Sequence, residues 1–181
     1  MAILNAGSLD SILRAAKIPM DHWKKTVPEL LAEIMAGECH LRIGLNGLER
    51  VLEIVKMVVK DPSYPERGFL KEVSITLPSG KMMERNREPA GKRRVGQETP
   101  EEALKREAGE ELELEPGKFS YNLVMTYEEK GNPKSAYPGL PSVYVIHWFG
   151  LIPCSDSKLL LNEFDITEKD GTCHHFKWVA E

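Results

Sequence analysis

The chain has 181 residues, of which 41% are hydrophobic and 29% charged, and its net charge is −4. That length holds one domain with a real core, or one domain plus a small appendage, and is short for two independent globular domains. No apolar run reaches the ~18 residues of a membrane helix, no segment is depleted enough in apolar residues to be disordered by composition, and the acidic balance argues against nucleic-acid binding by bulk basicity.

The first third reads as helical. Ser8 is placed to cap a helix carrying Leu9, Ile12, Leu13 and Ala16. Thr26 is placed to cap a second, with Pro28 in its first turn, Leu30, Leu31, Ile34 and Met35 as the apolar stripe, and Gly37 as the stop. The run Met1 to Met20 lacks the long apolar core of a signal peptide, although Arg14 and Lys17 give it some resemblance to an amphipathic transit segment. Val51–Lys60 fits helix or strand, and its β-branched content and the Asp61-Pro62 stop favour strand. From Phe69 a strand, a Pro-Ser-Gly turn and a second strand follow. Thr99–Leu112 is predicted as a helix, with Pro100 at its first position and Glu101 and Glu102 at its positive end. Two long strands, over FSYNLVMTYEE and SVYVIHWFGLI, flank the Pro/Gly-rich loop GNPKSAYPGLP, and HHFKWV makes a last short strand. The sum is an α+β chain with one central acidic helix. Cys39, Cys154 and Cys173 are odd in number and far apart, so they form neither a disulfide framework nor a CxxC metal pattern. They read as packing residues of a protein in a reducing compartment, by default the cytoplasm, or an organelle if a leader has been removed.

The net charge conceals an arrangement. Lys81–Arg94 carries six bases against two acids, a local charge of +4, whereas Glu98–Glu115 carries eight acids against two bases, −6. Within the acidic block Glu107, Glu110 and Glu111 stand at i, i+3 and i+4, so a helix puts all three carboxylates on one face. Leu104, Ala108 and Leu112 form a neighbouring apolar stripe able to anchor that helix. Such a face is either solvated or compensated by an oxygen-seeking divalent cation, Mg²⁺ or Mn²⁺.

Glu98, then seven residues, then Arg106-Glu107-Ala108-Gly109-Glu110-Glu111, with Leu114 beyond, resembles the signature G-x5-E-x7-R-E-U-x-E-E-x-G-U of the Nudix hydrolases, where U is a bulky apolar residue. Two places depart from it. Gly91 lies one residue too early for the leading Gly, and Glu113 replaces the late one. The resemblance implies a Nudix-type α/β/α sandwich with a mixed sheet, over residues 46–181, and the helical first part of the chain, 1–45, reads as an N-terminal extension packed on it. It implies a Mg²⁺- or Mn²⁺-dependent hydrolase that cleaves a diphosphate linkage in a nucleoside-diphosphate-X substrate by attack of activated water. Glu107, Glu110, Glu111 and Glu98 would be the metal residues, with Arg106 beside them in the catalytic set and Glu98 and Arg106 bracing the loop against the helix. The general base is not assigned by the motif, with Glu128 and Glu129 as candidates. Arg85, Arg93 and Arg94 are expected to grip substrate phosphates and Tyr137 to stack on a ring. The paired His174 and His175 read as packed or exposed rather than as ligands. The implied partner is a small-molecule diphosphate, with no membrane or nucleic acid, and a homodimer is one possible assembly. Two alternatives stay open. One is a non-catalytic nucleotide-binding or regulatory module of the same fold, and the other is hydrolysis of a diphosphoinositol or a dinucleoside polyphosphate.

Overall fold

A computed structural model describes residues 5–131 and 136–180. Its architecture is α+β: helices α1 (Ala6–Ala15), α2 (Val27–Met35) and α3 (Pro100–Leu112), with strands β1 (His40–Gly44), β2 (Gly47–Val59), β3 (Phe69–Thr76), β4 (Met82–Arg87), β5 (Ala90–Lys92), β6 (Phe119–Lys130), β7 (Ser142–Pro153), β8 (Glu163–Thr167) and β9 (Cys173–Val179). One sheet has the order β1-β2-β7-β6, with β5 also on β2, and the other has the order β4-β3-β9-β8. The chain forms two compact units. The first is made of Met1–Ile54, Lys92–Thr99 and Tyr127–Ile146, and the second of Val55–Gly91, Pro100–Thr126 and His147–Glu181.

In the first unit, α1 begins earlier than the Ser8 cap predicts. Asn5 is the N-cap, accepting from Ser8 N, while the Ser8 hydroxyl accepts from Asn5 N, so the two residues close a capping box. Leu9 and Leu13 are fully buried, but Ile12 faces solvent. The second helix follows the prediction, with Thr26 as N-cap and Glu29 completing its box. Gly37 has φ 75°, and a Cβ there would stand 2.9 Å from Val95 O, so glycine is required where residues 94–97 pass. Strands β1 and β2 form a hairpin, paired His40↔Val51 through Gly44↔Gly47, so the strand favoured over Val51–Lys60 is present and starts earlier, at Gly47. The core of this unit gathers Leu9, Leu13, Leu30, Cys39, Leu48, Leu52, Tyr137 and Leu140. Inside it Glu33 accepts from Arg50 (2.5 Å), Lys25 (2.7 Å) and the Tyr137 hydroxyl (3.0 Å). Burial opposes the charge on Glu33, but these partners hold its carboxyl below the usual range.

The second unit packs Val55, Met57 and Val59 of β2, Leu70 of β3, Phe149 and Leu151 of β7 and Phe176 and Trp178 of β9 against Ala103, Leu104, Ala108 and Leu112 of α3. The stripe read from the sequence is therefore the buried face of the helix. The turn after α3 holds a strained residue. Glu113 adopts φ 52°, and beyond it Leu114 N turns back to donate to Ala108 O at 3.0 Å, with Leu114 buried. Glu113 thus turns the chain at the helix end at the expense of left-handed strain, beside an ion pair with Lys158. In β3 the buried positions run Leu70, Glu72, then Ile75. The change of phase comes from a bulge at Val73, where pairing to both β4 and β9 shifts. Among the cysteines Cys39 is buried, Cys173 half-buried and Cys154 exposed, so Cys154 is not the packing residue expected. No described helix is long and apolar enough to cross a membrane.

Two stability predictions follow from this unit. Replacing Glu113 by Gly relieves the left-handed strain and is expected to stabilise the protein by roughly 1 kcal/mol, read as a rise in urea midpoint. Glu88 is half-buried between Lys71 and Lys56, and these bonds outweigh burial to hold its carboxyl at about 2. Because the folded value lies below the unfolded one, its contribution is complete above about pH 4.5 and is lost as pH falls toward 2. Glu88→Gln is expected to cost roughly 2–3 kcal/mol at pH 7, with the gap to wild type closing on acidification.

Candidate active site

The α3 helix presents its carboxylates in two groups. Arg106 Nη1 donates to Glu107 Oε1 (2.6 Å) and to Glu110 Oε2 (2.9 Å), so one guanidinium relieves the repulsion between these two acids. Glu107 is buried, whereas Glu110 is open to solvent. The Glu107 carboxylate lies so close to Gly91 that a Cβ there would fall 1.8 Å from Oε2. The early glycine of the basic loop is thus the residue whose missing side chain makes room for a buried carboxylate.

Glu111 faces a different neighbourhood. A carboxylate oxygen of Glu111, one of Glu168 and a ring nitrogen of His174 lie within 4.8 Å of one another. Burial, then the charge of Glu107, pushes the Glu111 carboxyl up to about 7, and the acids Glu168 and Glu72 add to the rise while His174 opposes it. Glu168 opens the β8–β9 turn, where Glu168 N donates to Thr172 O (2.8 Å) and Gly171, at φ 87°, donates to Glu168 O (3.0 Å). His174 sits next to that turn on β9, opposite Ile75 of β3. Its Nδ1 lies 2.6 Å from Glu72 Oε1. Glu72 is itself buried on β3 and bonded to Arg85 (3.0 and 3.2 Å) and Arg87. Burial works against its charge, but the two arginines and His174 keep its carboxyl below the usual range.

The other predicted site residues have these places. Glu98 and Arg93 organise the loop before α3. Glu98 Oε1 accepts from Arg94 N (2.7 Å), the Glu98 carbonyl accepts from Arg93 Nε (2.8 Å), and the Arg93 guanidinium pairs with Glu53. Arg85 is likewise committed to an internal carboxylate. Among the described residues of the basic block, Arg94 is exposed with no side-chain partner. Tyr137 is fully buried, edge-on to Trp23 at 4.8 Å and beneath Arg50, so the ring expected to stack on a substrate is packed into the core of the first unit. Glu128 is held by both terminal nitrogens of Arg42 at 2.7 Å. Glu168 and His174 are the residues that sequence reasoning passed over. The signal for His174 is its phase: His174, Phe176 and Trp178 alternate along β9 and are all buried.

The donor set fits a divalent cation. It combines two carboxylates with an imidazole, and burial and the neighbouring negative charge raise one of the carboxyls to about 7. No family model matches the chain, and no curated protein matches it. Among solved structures it is similar to the crystal structure of C. elegans Ap4A hydrolase, with a TM-score of 0.41 and 16% identity over 72% of this chain and 80% of that one. A likeness of that size carries no functional weight.

Because Glu111 must lose its proton to ligate, divalent-cation affinity is expected to rise as pH climbs through about 7 and to level off above it. Calorimetric titrations with Mn²⁺ from pH 6 to 8 read this directly, and in Glu111→Gln the rise is expected to vanish.

Proposed function

We propose that the protein is a metal-dependent hydrolase of the Nudix type, cleaving a diphosphate linkage in a small nucleoside-diphosphate-X substrate. The observation that carries the reading is the spacing of Glu98, Arg106, Glu107, Glu110 and Glu111, three of them carboxylates on one exposed-to-buried edge of an anchored helix. When bound, the cation neutralises phosphate oxygens and lowers the pKa of a water that attacks phosphorus. Glu107, Glu110 and Glu111 are the proposed ligands. Arg106 orients the first two by its paired bonds, and Glu98 stiffens the loop that leads into the helix. Arg94 is the proposed phosphate grip, since its guanidinium is the one of the basic block that meets solvent without a carboxylate partner among the described residues. The free thiols suit a reducing compartment such as the cytoplasm.

A phosphate-release screen tests the reading. Nucleoside diphosphate sugars, dinucleotides, dinucleoside polyphosphates and a diphosphoinositol are offered with Mg²⁺ and with Mn²⁺. Glu111→Gln and Glu110→Gln are each expected to lower kcat at least 100-fold on any active substrate with unchanged circular dichroism. Turnover that survives both substitutions sinks the assignment.

A further inference from the structure

His174 has two ring nitrogens in two different situations. Nδ1 lies 2.6 Å from Glu72 Oε1, a carboxylate kept charged by Arg85 and Arg87, so this nitrogen is the natural donor and carries the proton. With Nδ1 directed at Glu72, Nε2 is the ring nitrogen left to face the rest of the cluster. That atom is buried in a residue only 8% exposed and makes no hydrogen bond among the described residues. It lies 2.8 Å from Glu168 Oε1 without hydrogen-bond alignment. Glu111 is the third member of the group. A buried ring nitrogen without a hydrogen bond and two carboxyl groups converging on it form a set of donor atoms that a cation among them would satisfy.

The geometry points to a second-sheet contribution to the metal centre: His174 Nε2 and Glu168 join Glu111 as ligands of a divalent cation, and Glu72 holds the imidazole in the ligating tautomer. A histidine that ligates through one nitrogen and donates from the other to a carboxylate is the usual arrangement in such centres. Donors about 2.1 Å from one ion stand about 3–4 Å apart, so side chains already within 4.8 Å of one another converge with small rotations. Because one donor is nitrogen, the site prefers Mn²⁺ or Zn²⁺ to Mg²⁺, which takes oxygen donors in a strict octahedron. Glu72 is not a fourth ligand. Two guanidinium groups already occupy its oxygens.

This inference deepens the metal assignment proposed for Glu111 and is tested without substrate. Full-length protein is loaded with Mn²⁺ and examined by pulsed electron paramagnetic resonance for coupling to a directly bound ¹⁴N nucleus. Coupling is expected in the wild type and absent in His174→Gln, and its absence in the wild type overturns the site. Calorimetry is expected to give Mn²⁺ and Mg²⁺ binding both weaker in Glu168→Gln, a substitution at an exposed turn residue, about 10-fold for Mn²⁺, whereas His174→Gln is expected to weaken Mn²⁺ about 10-fold and to change Mg²⁺ less than 2-fold. Equal Mn²⁺ affinity in wild type and Glu168→Gln also overturns it. Nitrogen coupling together with an inactive substrate panel supports this site and sinks the hydrolase reading, whereas turnover with no nitrogen coupling does the reverse.

Discussion

Burying one face of α3 decides where its carboxylates must point. Ala103, Leu104, Ala108 and Leu112 are removed from water against β2, β7 and β9, and a helix pinned along that stripe cannot rotate its acids away from one another. Glu107 is carried partly under the surface and Glu111 toward the β8–β9 turn, while Glu110 stays outside. Burial therefore creates the electrostatic problem that the surrounding residues answer.

The answers differ from one acid to the next. Glu107 and Glu110 share Arg106, and Glu107 gains its space from the absent side chain of Gly91. Glu72, on a strand re-aimed by the bulge at Val73, is neutralised by Arg85 and Arg87. Glu111 is the acid for which burial and neighbouring negative charge outweigh the positive charge nearby, which is why its carboxyl sits near neutral pH. A group poised in that way, with an imidazole nitrogen and a second carboxylate at hand, is suited to exchanging its proton for a cation.

The basic block plays a more domestic part than its charge suggests. Arg85 and Arg87 serve Glu72, Lys92 pairs with Glu38, and Arg93 with Glu53. Positive charge concentrated in sequence is dispersed in space over several carboxylates. Arg94 is left facing solvent. Its neighbour Glu98 holds its backbone rather than its side chain.

Much of this was legible beforehand because it is local. The i, i+3, i+4 spacing of Glu107, Glu110 and Glu111, the apolar stripe beside it, the Thr26 cap and the Pro-Ser-Gly turn all depend on residues a few positions apart, where helical and strand periodicity govern direction. The Asn5 cap was misplaced by three residues since Asn5 and Ser8 cap each other and either reads as the start. Tyr137 looked like a loop aromatic, and only the packing of Trp23 and Arg50 around it shows a core residue. The sequence by itself determined the α+β class and the acidic face. Only the tertiary structure brought Glu168 and His174, 57 and 63 positions beyond Glu111, to within reach of it, because the pairing of β9 with β3 and β8 is a long-range choice that no short window of residues records.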